Sequence, residues 1–159
     1  MNIIDFLTAK PVLIGLHLGF AIVGIDLFLW LLGEIRANVG SIARRTLIAT
    51  GGLLAFAGSW IVGGYYYVVY YGPLVKPVIK AGSAPWAHGI AMEAKEHIFL
   101  FVFPLAVTML LLSRLDASTL QSLNLKKPAS LLALFLAGIG LLMGLLGFMI
   151  SAAARWGMI

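Results

Sequence analysis

Four long apolar runs, parted by short polar stretches, make up most of the chain. They extend over about Pro11 to Gly33, Thr46 to Tyr71, Met92 to Ser113 and Pro128 to Ala154. Each is close to the roughly 20 apolar residues with which an α-helix crosses a hydrocarbon layer of about 30 Å. Pro11 suits a first helical turn, where its missing N–H costs nothing. The triplet "YGP" at Tyr71 is read as the stop of the second run. The third helix is expected to begin before its apolar run, in "SAPWAHGIAMEAKEH", with Ser83 as cap and Pro85 in the first turn. The pattern predicts one all-α domain, an integral membrane four-helix antiparallel bundle. No repeat, low-complexity tract or second domain interrupts it.

Composition agrees. Hydrophobic residues make up 62% and charged residues 11% of the 159 positions, and the mean hydropathy is +1.04. A soluble domain of this size needs more surface charge than that. The net charge of +5 sits in loops between apolar runs, which fits membrane orientation better than nucleic-acid binding. The absence of cysteine removes disulfides, thiolate metal sites and C-x-x-C-H haem attachment. "MNIIDFLTAK" has neither a basic n-region nor a small-residue cleavage site, so the first helix is read as retained.

Four crossings put both termini and the second inter-helix loop on one side, with Lys10, Lys76, Lys80, Lys95 and Arg155. The other side carries Arg36, Arg44, Arg45, Arg114, Lys126 and Lys127 in two short loops. Basic residues are denser there, which assigns that side to the cytoplasm and the termini to the outside of a bacterial or archaeal inner membrane. The tyrosines of "GGYYYVVYY" and Trp86 then form an outer aromatic belt.

Depth can be counted from the basic ends. His17 precedes Glu34 by 17 residues, and His97 precedes Arg114 by 17. Both therefore sit roughly 26 Å from that face, at 1.5 Å per residue. The same count from Arg45 reaches Val62, beside Gly63 and Gly64, and from Lys127 it reaches Gly144. Two histidines and several glycines thus share one level. Small residues in membrane helices serve close packing. They also admit a flat macrocycle held by histidines on facing helices. Both readings stand at this point. His88, nine residues before His97 and half a turn out of phase, is read as lying above the membrane, solvated or near a haem propionate. Glu93 is one turn from His97, within hydrogen-bonding reach. Lys95 and Glu96 are read as snorkelling to the surface. Asp26 is the one acid deep in a span and a functional candidate by default. Thr50 and Thr108 at its level offer a structural account, hydroxyls for a protonated carboxyl.

The stretches "GLHLGFAIVG" and "EAKEHIFLFVFPL" resemble the Leu-His pair of helix 1 and the helix-3 histidine of small bacterial membrane haem proteins. Four-helix protoporphyrinogen oxidases and copper-resistance D-like membrane domains are of this kind. The resemblance implies His17 and His97 as axial ligands of a b haem, with Gly63, Gly64 and Gly144 making room. The oxidases tend to place a lysine after the helix-3 histidine, whereas Lys95 precedes His97 here, so the enzyme activity is not carried over. The expected role is a b-type cytochrome or haem-binding subunit passing electrons near the outer face, to or from quinone. The expected partners are the lipid bilayer, a larger membrane or respiratory complex, and an extracytoplasmic cytochrome. The rival reading is a non-catalytic accessory subunit. A transporter lacks broken helices or inverted repeats to support it, and three scattered histidines do not build a zinc site.

Overall fold

The computed structural model describes residues 2–156, which are helical almost throughout, with no strand among them. Met1 and residues 157–159, including the terminal Ile159, lie outside the described residues. A short helix α1 (Ile3–Leu7) opens the chain, closed by a capping box in which Asn2 and Asp5 each bond the other's backbone N–H. Then come α2 (Lys10–Ala37) and α3 (Ile42–Tyr66). The chain continues without a break through a π-helical segment π1 (Tyr67–Val75) into α4 (Lys76–Ala81). A second π-helical segment, π2 (Ala87–Met92), leads into α5 (Glu93–Ser113). A small helix α6 (Ala117–Ser122), capped by Asp116, precedes α7 (Lys126–Trp156).

Four helical stretches are long and apolar enough to cross a membrane: Lys10–Ala37, Ile42–Ala81, Ala87–Ser113 and Lys126–Trp156. Each packs on two others, in the cyclic order α2, α3, α5, α7 and back to α2. Their outward faces remain apolar, with Trp60, Phe101, Leu141 and Phe148 exposed. Such surfaces are compatible with lipid and costly in water.

The expected stop at "YGP" is not made. Pro73 lies inside π1, and the helix runs ten residues past Tyr71 to Ala81. In an α-helix a proline ring strikes the carbonyl four residues back. In the π register bonds run five residues back, as from the Lys76 N–H to the Tyr71 carbonyl. Pro73 is thus accommodated inside the wider turn. Ser83 is not the expected cap either. The turn starts at Ala84, whose carbonyl accepts from the Ala87 N–H, and no side chain caps π2.

Two apolar cores occupy the two ends. One gathers Phe28, Leu31, Ile35, Phe56, Met109 and Leu136 near the basic loops. Its rings sit against glycines: Phe28 on Gly52, and Phe56 on Gly24 and Gly140. The other gathers Tyr71, Ile79, Ala87, Ala91, Ile150 and Ala153. Between them, on α3, α5 and α7, lies a stretch that belongs to neither.

Candidate functional site

That intervening level contains His17. The ring is partly buried and turned toward α3. Its Nδ1 is 2.8 Å from the Ser59 carbonyl oxygen and 3.0 Å from Ser59 Oγ, which in turn donates to the His17 carbonyl at 3.0 Å. A carbonyl only accepts, so Nδ1 carries the hydrogen, and in the neutral ring Nε2 is left with its lone pair. The ring rests on Gly63, where an added Cβ would lie 2.6 Å from Nδ1. Gly63, which the residue count puts at the level of His17, is the glycine the ring meets. The space at Gly63, however, is taken by His17 itself. Gly64 and Gly144 are exposed, and a Cβ on either would meet nothing within 4 Å.

His97 does not face His17. It is exposed, and its Nδ1 donates to the Glu93 carbonyl of its own helix at 2.7 Å. The inward position belongs to Lys95. Two residues along a helix turn the side chain by about 200°, so Lys95 and His97 cannot share a face. Lys95 is half-buried and reaches across to α7, where a Cβ on Gly147 would lie 3.3 Å from its Nζ. It is also close enough to His17 to act on it electrostatically. Among the described residues its ammonium has neither a hydrogen bond nor an ion pair within 4.0 Å. The expectation that Lys95 snorkels to the surface is therefore corrected. One level now takes His17 from α2, Ser59 and Gly63 from α3, Lys95 from α5 and Gly147 from α7.

Asp26 is exposed on the outward face and forms no hydrogen bond among the described residues. Thr50 and Thr108 donate instead to the carbonyls of Thr46 and Pro104, one turn back on their own helices. The expected carboxyl–hydroxyl pairing is not formed.

His88 is the larger surprise. It is buried, 4% exposed, not solvated as expected. Its Nδ1 is 3.1 Å from the Tyr71 hydroxyl, and its Nε2 is 3.9 Å from Glu93 Oε1. Tyr71 is itself 2% exposed and stacks on Tyr67 at 5.2 Å between ring centroids. The π segments explain the meeting. His88 and Glu93 are five residues apart, a spacing that aligns side chains when the winding is i to i+5 but not when it is α-helical. Glu93 therefore serves twice: its carbonyl holds His97 and its carboxylate faces His88. No α-helical count signals this, because the wider turn between His88 and Glu93 changes the phase.

For a b haem, the donors within this chain fit one axial position and not two. His17 and His97 each keep an Nε2 lone pair, with Nδ1–H tied to a carbonyl in the way that metal-binding imidazoles are oriented. They are turned to different faces, so a haem clamped between the two is not accommodated. Among the described residues there is also no group of three or more His, Cys, Asp or Glu side chains placed to hold a metal ion. No family model, no curated protein and no solved structure matches the chain.

Proposed function

We propose that this chain is an integral-membrane electron-transfer subunit, an antiparallel four-helix bundle that binds a quinone headgroup at the His17–Lys95 level. The observation carrying this reading is an imidazole lone pair on α2 and, at its level on α5, a half-buried ammonium with no hydrogen bond or ion pair among the described residues. Such an ammonium is free to take an acceptor from outside the chain. A quinone carbonyl accepts from the Lys95 ammonium, and a quinol hydroxyl donates to His17 Nε2. The isoprenoid tail needs only the apolar outer surface. Ser59 keeps Nδ1 protonated and so reserves Nε2 for the substrate. Electrons then pass to a redox partner in a larger membrane complex or to an extracytoplasmic cytochrome. The denser basic loops, with Arg36, Arg44 and Arg45, support a cytoplasmic assignment for that end, and with it a quinone site near the outer face of an inner membrane.

The Nδ1 ties of both histidines favour a second reading, in which His17 supplies one axial ligand of a b haem and a partner supplies the other. Bound there, a haem would carry one-electron chemistry, with Lys95 beside its propionates.

Purified protein titrated with a short-chain quinone, followed by tryptophan fluorescence, tests the first reading. His17→Ala and Lys95→Met should each weaken binding about tenfold to a hundredfold, the worth of a hydrogen bond to a charged or buried group. His97→Ala should leave it unchanged. Equal losses from His97→Ala and His17→Ala would overturn the site. A Soret band lost with His17→Ala alone selects the haem reading. Neither binding nor a Soret band would leave the accessory-subunit reading as the better one.

A further inference from the structure

At the opposite end, an open cleft of about 470 Å³ lies between the end of α2 and the start of α7. It is lined by Arg36, Gln121, Asn124, Lys126, Lys127, Ser130 and Leu131. We propose that this cleft binds the phosphate group of an anionic lipid headgroup. The proposal rests on the chain spanning a membrane, not on the quinone site.

Three cations line the cleft and no acid does. Among the described residues none of the three takes part in an ion pair. The remaining polar walls are donors too: the amides of Gln121 and Asn124 and the Ser130 hydroxyl. Ser130 is 8% exposed yet faces the cleft, and it has no hydrogen-bond partner among the described residues. A serine that could bond its own helix but is left open beside three cations points to an acceptor from outside. Lys126 and Lys127 begin α7, so their backbone N–H groups have no acceptor within the helix. They add the positive end of a long helix to the side-chain charge. Arg36 contributes the planar fork that suits phosphate oxygens.

Position selects the lipid. Arg36 lies one residue from the end of α2, and Lys126 and Lys127 open α7. Both helices run on into their apolar spans, so the cleft sits where headgroup phosphates lie and Leu131 lies on its lipid side.

The test reconstitutes the whole chain in nanodiscs of phosphatidylcholine, alone or mixed with phosphatidylglycerol, and counts retained lipid by native mass spectrometry after detergent extraction. Phosphatidylglycerol should be retained over phosphatidylcholine. Lys126→Gln combined with Lys127→Gln should lower that retention roughly thirtyfold, two cations at about 1 kcal/mol each. Arg114→Gln, one cation removed outside the cleft, should leave it unaltered, whereas Lys126→Gln or Lys127→Gln alone should lower it about fivefold. Ser130→Ala keeps charge and topology and should lower retention severalfold, which guards against misinsertion of the lysine variant. Inorganic phosphate is the separate arm. If it binds in the absence of anionic lipid while phosphatidylglycerol is not retained, the cleft serves a soluble anion and the lipid assignment falls. If neither binds, or if Arg114→Gln matches the lysine pair, the site itself falls.

Discussion

Gly63→Ala separates two meanings of a glycine at a histidine level. The new methyl would stand 2.6 Å from His17 Nδ1, so the ring must move. It is held by the Ser59 carbonyl at 2.8 Å and the hydroxyl at 3.0 Å, and it cannot move without giving up both. One Nδ1 hydrogen serves both oxygens, so weakening it costs about 0.5–1.5 kcal/mol, and about 1–3 kcal/mol where the N–H is left without an acceptor. The gain from replacing a helical glycine by alanine returns at most about 1 kcal/mol. Gly64→Ala is the matched control, one residue along the same helix with nothing within 4 Å. It should be neutral or slightly stabilising, as should Gly144→Ala. The assay is denaturant unfolding of the purified protein in mixed micelles, with nitrogen NMR of His17 reporting the Nδ1 tie. Equal effects at Gly63 and Gly64, or an unchanged His17 resonance in Gly63→Ala, would refute the packing account and return the glycines to cofactor clearance.

Diethylpyrocarbonate should carbonylate one histidine quickly, and His97→Ala should remove that fast phase, because His17 is partly buried and His88 is 4% exposed. Tyr71→Phe should leave His88 Nδ1 without its partner and destabilise the end of the bundle that holds π1 and π2 by about 1–3 kcal/mol, read as faster hydrogen exchange in those segments. Asp116, outside the spans, has its carboxyl pulled down to about 2 by the Ser118 hydroxyl, the Thr119 N–H and the Thr119 hydroxyl. Its folded value lies below the ordinary one, so its support for α6 is complete above about pH 4 and lost as pH falls through about 2. A carboxyl-carbon NMR titration with a midpoint near 4 would contradict this. Gly40, at φ +80° beside the Glu34 carboxylate, should cost about 1–3 kcal/mol as alanine, since both backbone and contact forbid a Cβ.

The four long helices were legible because apolar run length is a direct consequence of what a backbone needs inside hydrocarbon. The level of His17 was legible for the same reason, since rise per residue is nearly constant. Rotation was not. A run such as "HIFLFVFPLAVTMLLL" is apolar on every side, so nothing in it says which face is inward. Choosing His97 over Lys95 was a choice of chemistry where only azimuth could decide. The burial of His88 was hidden by the π winding, which leaves no known mark in residue type. The π1–α4 extension was hidden by Pro73, an ordinary stop signal that a wider turn makes harmless.

The π segments also give the Tyr71–His88–Glu93 cluster an unusual dependence on counting. A π turn carries a residue beyond what α pitch requires, and this surplus rotates everything on one side of it relative to the other. Tyr71 lies inside one such surplus and His88 inside the other. Deleting one exposed residue, such as Val68, would let π1 relax to α-helix without breaking the rod. Tyr71 would swing away from His88 while Phe28, Phe56 and Leu136 stayed packed in the inner core. The meeting of tyrosine, histidine and carboxylate is thus a product of insertion, open to gain or loss by one codon.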